Sequence, residues 1–167
     1  MLKPTAFTLL LTVLMAAPAA AQQTIFLVRH AERADRTPRA SPTMVADPDL
    51  SDAGRRRAES LAAAFKDAHI VAIYATEFKR TQQTAAPVAK ALGLTVKIVP
   101  SKSTADLTKQ VKAIKGNVLV VGHSNTVPDV IKALGVTTPI TIGDGDFDNL
   151  FLVTGGTHPA LLRLHYR

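Results

Sequence analysis

From Thr24 onward, short apolar runs alternate with longer segments in which apolar residues recur at helical spacing, the pattern of an α/β domain. Six runs read as strands: Thr24–Val28, Ile70–Ala75, Leu94–Val99, Asn117–Val121, Asn149–Thr154 and Ala160–His165. Ser51 predicts the N-cap of a helix running through Lys66, with Leu61 and Phe65 on one face. A second helix is expected from about Glu77 to Leu92, closed by Gly93, with Pro87 kinking it or shifting its start. A third follows Ser103 and ends near Gly116, and a fourth runs from about Pro128 to Leu134. Helices between strands imply one α/β domain: a mostly parallel central sheet with helices on both faces, a three-layer sandwich. Two stretches resist assignment, the polar loop from Ala31 to Leu50 and the Gly- and Asp-rich segment from Thr137 to Asp148. Long structureless loops in compact domains are usually functional or disordered, and the first, directly after the first strand, is the better functional candidate.

The beginning of the chain has a different character. One cation, Lys3, precedes an apolar run from Ala6 to Ala17, and Ala19-Ala20-Ala21 forms an A-x-A cleavage pattern. The run is shorter than the roughly 20 residues a membrane-spanning helix needs. Residues 1–21 therefore read as a signal peptide, leaving 167 − 21 = 146 residues, 22–167, for one exported domain. Export implies a periplasmic or extracellular location and no stable membrane span after cleavage.

Composition narrows the chemistry. Cysteine is absent, which excludes disulfides, thiolate metal sites and cysteine nucleophiles. The formal charge of +7 fits an anionic partner, while the absence of Trp and an aromatic content of 5% leave few stacking platforms for single-stranded nucleic acid.

In an open parallel sheet, ligands bind beyond the carboxyl ends of the strands. Arg29 and His30 close the first strand, Arg80 lies early in the helix after the second, and Gly122 and His123 close the fourth. Two histidines and two arginines thus converge on one edge, where helix N-termini add backbone N–H groups. Arginine suits phosphate oxygens, and one imidazole can attack phosphorus while another stabilises charge. That constellation describes phosphoryl transfer without a metal or cofactor.

Three segments carry a resemblance. L-V-R-H-A-E-R at Leu27–Arg33, Y-A-T-E-F-K-R-T-Q-Q-T-A at Tyr74–Ala85 and V-V-G-H-S-N-T at Val120–Thr126 occur in the order and strand context of the histidine phosphatase (phosphoglycerate mutase-like) superfamily. The resemblance extends over Thr24 to Arg167 and favours the compact first branch. It implies a phosphatase in which His30 becomes a phosphohistidine and Arg29, Arg80 and His123 hold the phosphoryl oxygens. Ser124 joins them as a substrate contact. His30 should be neutral to attack, whereas His123 would serve better protonated. The implied substrate is a small phosphorylated molecule or a phosphoprotein, with no nucleic-acid partner.

Some positions depart from the family pattern. Ala31 stands for the usual glycine, and no glutamate follows the third strand, where the general acid is usually found. Glu32, Glu77 and Asp106 are the available carboxylates, and a capping role after Ser103 explains Asp106 equally well. Arg33 partly echoes the phytase branch, but that branch has aspartate after its second histidine, where this chain has Ser124.

Alternatives keep the same residues. Gly122–Thr126 is one residue from a G-x-S-x-G elbow, so Ser124 with Asp144 or Asp148 and His158 would make an α/β-hydrolase triad. A phosphate-binding module without turnover, or a mutase, would keep the first fold. Arg55-Arg56-Arg57 reads as an exposed helix face, and His69, His158 and His165 as surface or packing residues. Asp144, Asp146 and Asp148 read as a tight turn rather than a calcium loop, since the bidentate glutamate is missing.

Overall fold

The computed structural model describes residues 23–36, 46–156 and 158–166; the signal-peptide expectation and the middle of the first long loop lie outside them. Six strands form one sheet: β1 (Thr24–Arg29), β2 (Ile70–Ala75), β3 (Val96–Ile98), β4 (Asn117–Gly122), β5 (Asn149–Thr154) and β6 (Leu161–His165). Their spatial order is β3-β2-β4-β1-β5-β6. The β1–β4, β2–β4 and β2–β3 pairs are parallel, and β5 alone runs against its neighbours. The helices among the described residues are α1 (Asp52–Phe65), α2 (Lys79–Leu92), α3 (Thr104–Ala113) and α4 (Thr126–Ala133), with a short 3-10 turn at Ala34–Arg36.

Strand alternation builds two cores, one on each face of the sheet. Ile25 and Leu27 of β1, with Val118 and Val120 of β4, pack with Val111 of α3 and Val127, Val130 and Ile131 of α4. Val28, Leu119 and Val121 face the other way, against Leu61 and Phe65 of α1 and Ala85, Val88 and Ala89 of α2. The expected three-layer sandwich follows. Chain direction then creates the site: α1 leaves β1 towards one face, α4 leaves β4 towards the other, and β1 and β4 are neighbours. A crevice opens where such connections diverge.

Several boundaries differ from the sequence reading. Strand β3 is only Val96–Ile98, because Leu94 N–H bonds Ala89 O (2.9 Å) in closing α2, where Gly93 adopts φ 65°. Helix α2 starts at Lys79, not Glu77, and continues through Pro87. Its first N–H is capped from another segment, since Lys79 N–H donates to the Asp47 carboxylate (3.1 and 3.2 Å). Helix α4 starts at Thr126, which places Pro128 in the first turn, where a missing N–H costs nothing. Ser51 caps α1 as expected, accepting from Gly54 N–H at 3.1 Å. Ser103 makes no side-chain cap, so Asp106 is simply exposed in the first turn of α3.

Candidate active site

The carboxyl ends of β1 and β4 are locked in register, with Arg29 opposite Gly122, and His30 N–H continues the ladder to Gly122 O (2.9 Å). His30 and His123 thereby emerge side by side, their rings edge to face at 5.4 Å. Gly122 is needed here. A Cβ would lie 2.7 Å from Thr126 Oγ1 and 3.1 Å from Val127. The Thr126 hydroxyl in turn accepts His123 N–H at 2.9 Å, tying the turn to α4.

His30 is 4% exposed. Its Nδ1 lies 2.8 Å from Ala31 O, a carbonyl that can only accept, so Nδ1 carries the hydrogen and Nε2 keeps its lone pair. Burial, reinforced by His123, Arg29 and Arg80, pushes its pKa down to about 3. The ring is neutral throughout the ordinary pH range, the state a nucleophilic imidazole requires. Ala31 N–H, the next amide, is held by Thr84 Oγ1 of α2 at 2.9 Å.

His123 is 8% exposed, and burial followed by Arg80 lowers its pKa to about 4. The expected imidazolium is therefore not the state of the free protein, because a buried cation beside Arg80, Arg29 and Arg33 is doubly penalised. Its Nε2 meets Thr76 Oγ1 at 2.9 Å, and its Nδ1 faces Arg80 NH2 at 3.5 Å.

Both expected arginines arrive at the same edge. Arg80 extends from the first turn of α2, lies over the Phe78 ring at 4.3 Å and approaches Asp47 at 3.5 Å. Arg29 lies over Phe147 at 4.3 Å, and its NH1 donates to Gly143 O (2.7 Å) and Asp144 O (3.0 Å). Burial lowers the pKa of both guanidinium groups, yet arginine stays charged at any ordinary pH. The Nε of each is buried with no hydrogen-bond partner among the described residues. A buried donor left unpaired costs about 1–3 kcal/mol, which an oxyanion between the two arginines would recover.

The remaining expected residues fare differently. Ser124 sits half-buried one residue beyond His123. Glu32 points to α1, where Arg57 Nε and NH2 grip its carboxylate at 2.7–3.0 Å, so Arg57 is no part of an exposed face; Arg55 and Arg56 are. Glu77 accepts from Ser101 N–H (2.7 Å) and Ser101 Oγ (2.9 Å). Burial opposes its charge, but bonds from its own amide and from Ser101 outweigh that and hold the carboxyl below its ordinary value. Arg33 pairs with Asp35.

The hydrolase triad does not form. Thr154 pairs with Thr24 at the amino end of β1, so His158, beyond Thr154, lies at the opposite edge from Ser124. The three aspartates make the expected turn, with Gly143 N–H donating to Asp146 Oδ2 (2.8 Å) and Asp148 bonded to His165 (3.2 Å). His69 is exposed in a turn at φ 50°. Among the described residues no group of three or more His, Cys, Asp or Glu could hold a metal ion. Sequence reading missed Thr76, Thr81, Phe78, Phe147 and Asp47. Thr76 and Thr81 lie inside the second motif, where a polar residue directly after a buried strand was the available signal.

Comparison with known proteins bears on the family and the fold. Residues 25–107 match the family pattern described as the histidine phosphatase superfamily (branch 1). Phosphoserine phosphatase 1 of Hydrogenobacter thermophilus is 39% identical over 72 residues, which span 43% of this chain but only 34% of that enzyme. Among solved structures, the protein histidine phosphatase SixA complexed with tungstate superposes with TM-score 0.67 at 18% identity, covering 85% of this chain and 96% of that one. A mycobacterial glucosyl-3-phosphoglycerate phosphatase gives TM-score 0.63 at 15% identity, covering 84% and 97%. At these identities the two structures share the fold.

Proposed function

The chain belongs to the histidine phosphatase superfamily, branch 1, and from that premise we propose that it is a metal-independent phosphatase that hydrolyses phosphomonoesters through a phosphohistidine at His30. The observation that carries this reading is the His30 ring, neutral and pinned through Nδ1, its Nε2 unpartnered among the described residues, with buried Arg29 and half-buried Arg80 at the same edge. Nε2 attacks phosphorus, the P–N bond forms, and the ester oxygen leaves with the P–O electron pair. Water then attacks phosphorus and breaks the P–N bond, releasing phosphate. Arg29 and Arg80 meet the charge on the equatorial oxygens, the work a divalent ion does in other phosphatases. His123 and Ser124 complete the phosphoryl contacts.

Lys3, the following apolar run and Ala19-Ala20-Ala21 support export, so the substrates proposed are phosphoesters outside the cytoplasm. A second reading, a phosphate-binding module without turnover, is favoured by one observation: Glu32 and Glu77, the glutamates within the first two motifs, are both bound by other groups.

The test is hydrolysis of p-nitrophenyl phosphate in the presence of EDTA, with wild type and His30→Ala compared, and with acid-labile phosphate sought on His30 after rapid quench. The proposed enzyme retains activity in EDTA and loses it in the variant. Full activity in His30→Ala would refute the mechanism. Stoichiometric binding without phosphoenzyme would favour the module.

A further inference from the structure

No glutamate follows β3, where the resemblance places the general acid, and each substitute is engaged elsewhere or exposed. Glu32 is held by Arg57, Glu77 by Ser101, and Asp106 is exposed on α3. Asp47, the carboxylate beside Arg80, is occupied by that guanidinium and by Lys79 N–H. A leaving alkoxide still needs a proton.

The hydroxyls behind His123 show where it can be kept. Thr81 Oγ1 lies 2.7 Å from Phe78 O and 3.0 Å from Thr76 O, two carbonyls that can only accept, so its one hydrogen is spent on them. Towards Thr76 Oγ1, 2.9 Å away, Thr81 must therefore accept. That takes the single hydrogen of Thr76, so at 2.9 Å from His123 the Thr76 oxygen can only accept from Nε2–H. Neutral His123 then has its lone pair on Nδ1, the atom that faces Arg80 NH2, itself only a donor. Both ends of the ring demand the same tautomer. Thr76 and Thr81 are buried, which leaves the chain of hydroxyls no competing water.

We propose that the leaving-group proton arrives with the substrate: His123 Nδ1 takes it from the phosphoester monoanion and returns it to the departing oxygen, with Thr76 and Thr81 as the positioning residues that keep Nδ1 able to accept. The inference rests on the phosphohistidine reading and adds the proton's route. On binding, the P–OH hydrogen moves to Nδ1, leaving a dianion between Arg29 and Arg80. His30 Nε2 then attacks, the P–O bond breaks with its electron pair on oxygen, and Nδ1 delivers the proton to give the alcohol. In the second half, water attacks phosphorus and gives one proton to Nδ1, the P–N bond breaks, and that proton departs with phosphate as its monoanion. Monoanionic ester and water become alcohol and monoanionic phosphate, with charge and hydrogens balanced.

The groups facing His123 are consistent with this cycle. Arg29 at the end of β1, His30 and Arg33 just beyond it and Arg80 of α2 oppose a resident proton, and Glu77 favours one. The imidazolium thus exists only while the phosphoryl dianion is there to hold it.

The experiment measures kcat/KM against pH for two alkyl phosphomonoesters of different second pKa, and for p-nitrophenyl phosphate, in wild type, Thr76→Val and Thr76→Ser. For wild type, kcat/KM should fall tenfold per pH unit above each alkyl ester's second ionisation, near pH 6, and the break should move with the ester. Thr76→Val should lose about 10²-fold on alkyl esters and far less on p-nitrophenyl phosphate, whose leaving group departs without a proton. Thr76→Ser should restore the alkyl activity. A break at one pH for both alkyl esters, or an equal Thr76→Val loss on alkyl and aryl esters, overturns the proton route. Phosphohistidine at His30 is followed in parallel. If it forms normally while the break ignores the substrate, only the proton route fails; if it never forms, the phosphatase reading fails as well.

Discussion

Replacing Gly54 with alanine should destabilise the protein, although the same change in an exposed helix stabilises by about 1 kcal/mol. Gly54 lies in the first turn of α1, and an added Cβ would sit 2.2 Å from Glu32 O, 3.0 Å from Glu32 N and 3.1 Å from Glu32 C. These are backbone atoms and cannot swing aside as a side chain would. Relief requires moving α1 or the segment after β1. Overpacking of this kind costs about 1–3 kcal/mol. Glu32 O also accepts Ser51 N–H at 2.9 Å, and losing that bond adds about 1–3 kcal/mol if the groups stay buried. Set against the helical gain, the net expectation is a loss of about 1–5 kcal/mol. For a domain of this size that lowers Tm by roughly 2–4 °C per kcal/mol. Activity should fall further than stability at temperatures where the variant is folded. Glu32 follows Ala31, whose carbonyl orients His30, and a displacement of about 1 Å at reacting groups can cost about 10²-fold. Urea denaturation with unchanged m measures the first effect and kcat the second. A Gly54→Ala variant with a midpoint at or above wild type would refute the close-approach argument.

Two other outcomes are expected. His30 and His123 have folded pKa values of about 3 and 4 against an ordinary 6.5, so between those limits the unfolded chain binds more protons. Stability should therefore be full above about pH 6.5 and fall with acidification, by up to about 2.7 kcal/mol per pH unit for the pair; chemical denaturation at several pH values, repeated on the His30→Ala, His123→Ala double variant, should show the slope removed, and an unchanged slope rejects this origin. Arg29→Lys keeps the charge but cannot both bridge Gly143 O and Asp144 O and present a planar donor to phosphate, so kcat should fall about 10²–10³-fold, with KM raised. Kinetics matching wild type would place Arg29 outside the phosphoryl site.

Much of the architecture was legible because it is local. Val28, Leu119 and Val121 alternate with residues of the opposite core, and Ser51 and Gly93 mark helix ends through their own side chain or backbone freedom. The four residues of the site were legible for a related reason. Arg29, His30 and His123 end strands and Arg80 begins a helix, so parallel pairing brings them to one edge whatever the loops do.

What sequence could not supply depended on partners far along the chain. Arg57 looks like its neighbours Arg55 and Arg56 until Glu32, 25 residues earlier, turns it inward. His158 satisfies a triad's order along the chain, yet the reversed direction of β5 carries it to the wrong edge. Whether His123 is charged was undecidable from its identity, because protonation answers to burial and to Arg80, Arg29 and Arg33, which arrive from separate segments. By itself the sequence determined the layers, the strand ends and the four groups that meet there. Only the tertiary structure decided their protonation, their tautomers and which carboxylates were already spoken for, because those depend on distances between side chains that no local spacing encodes.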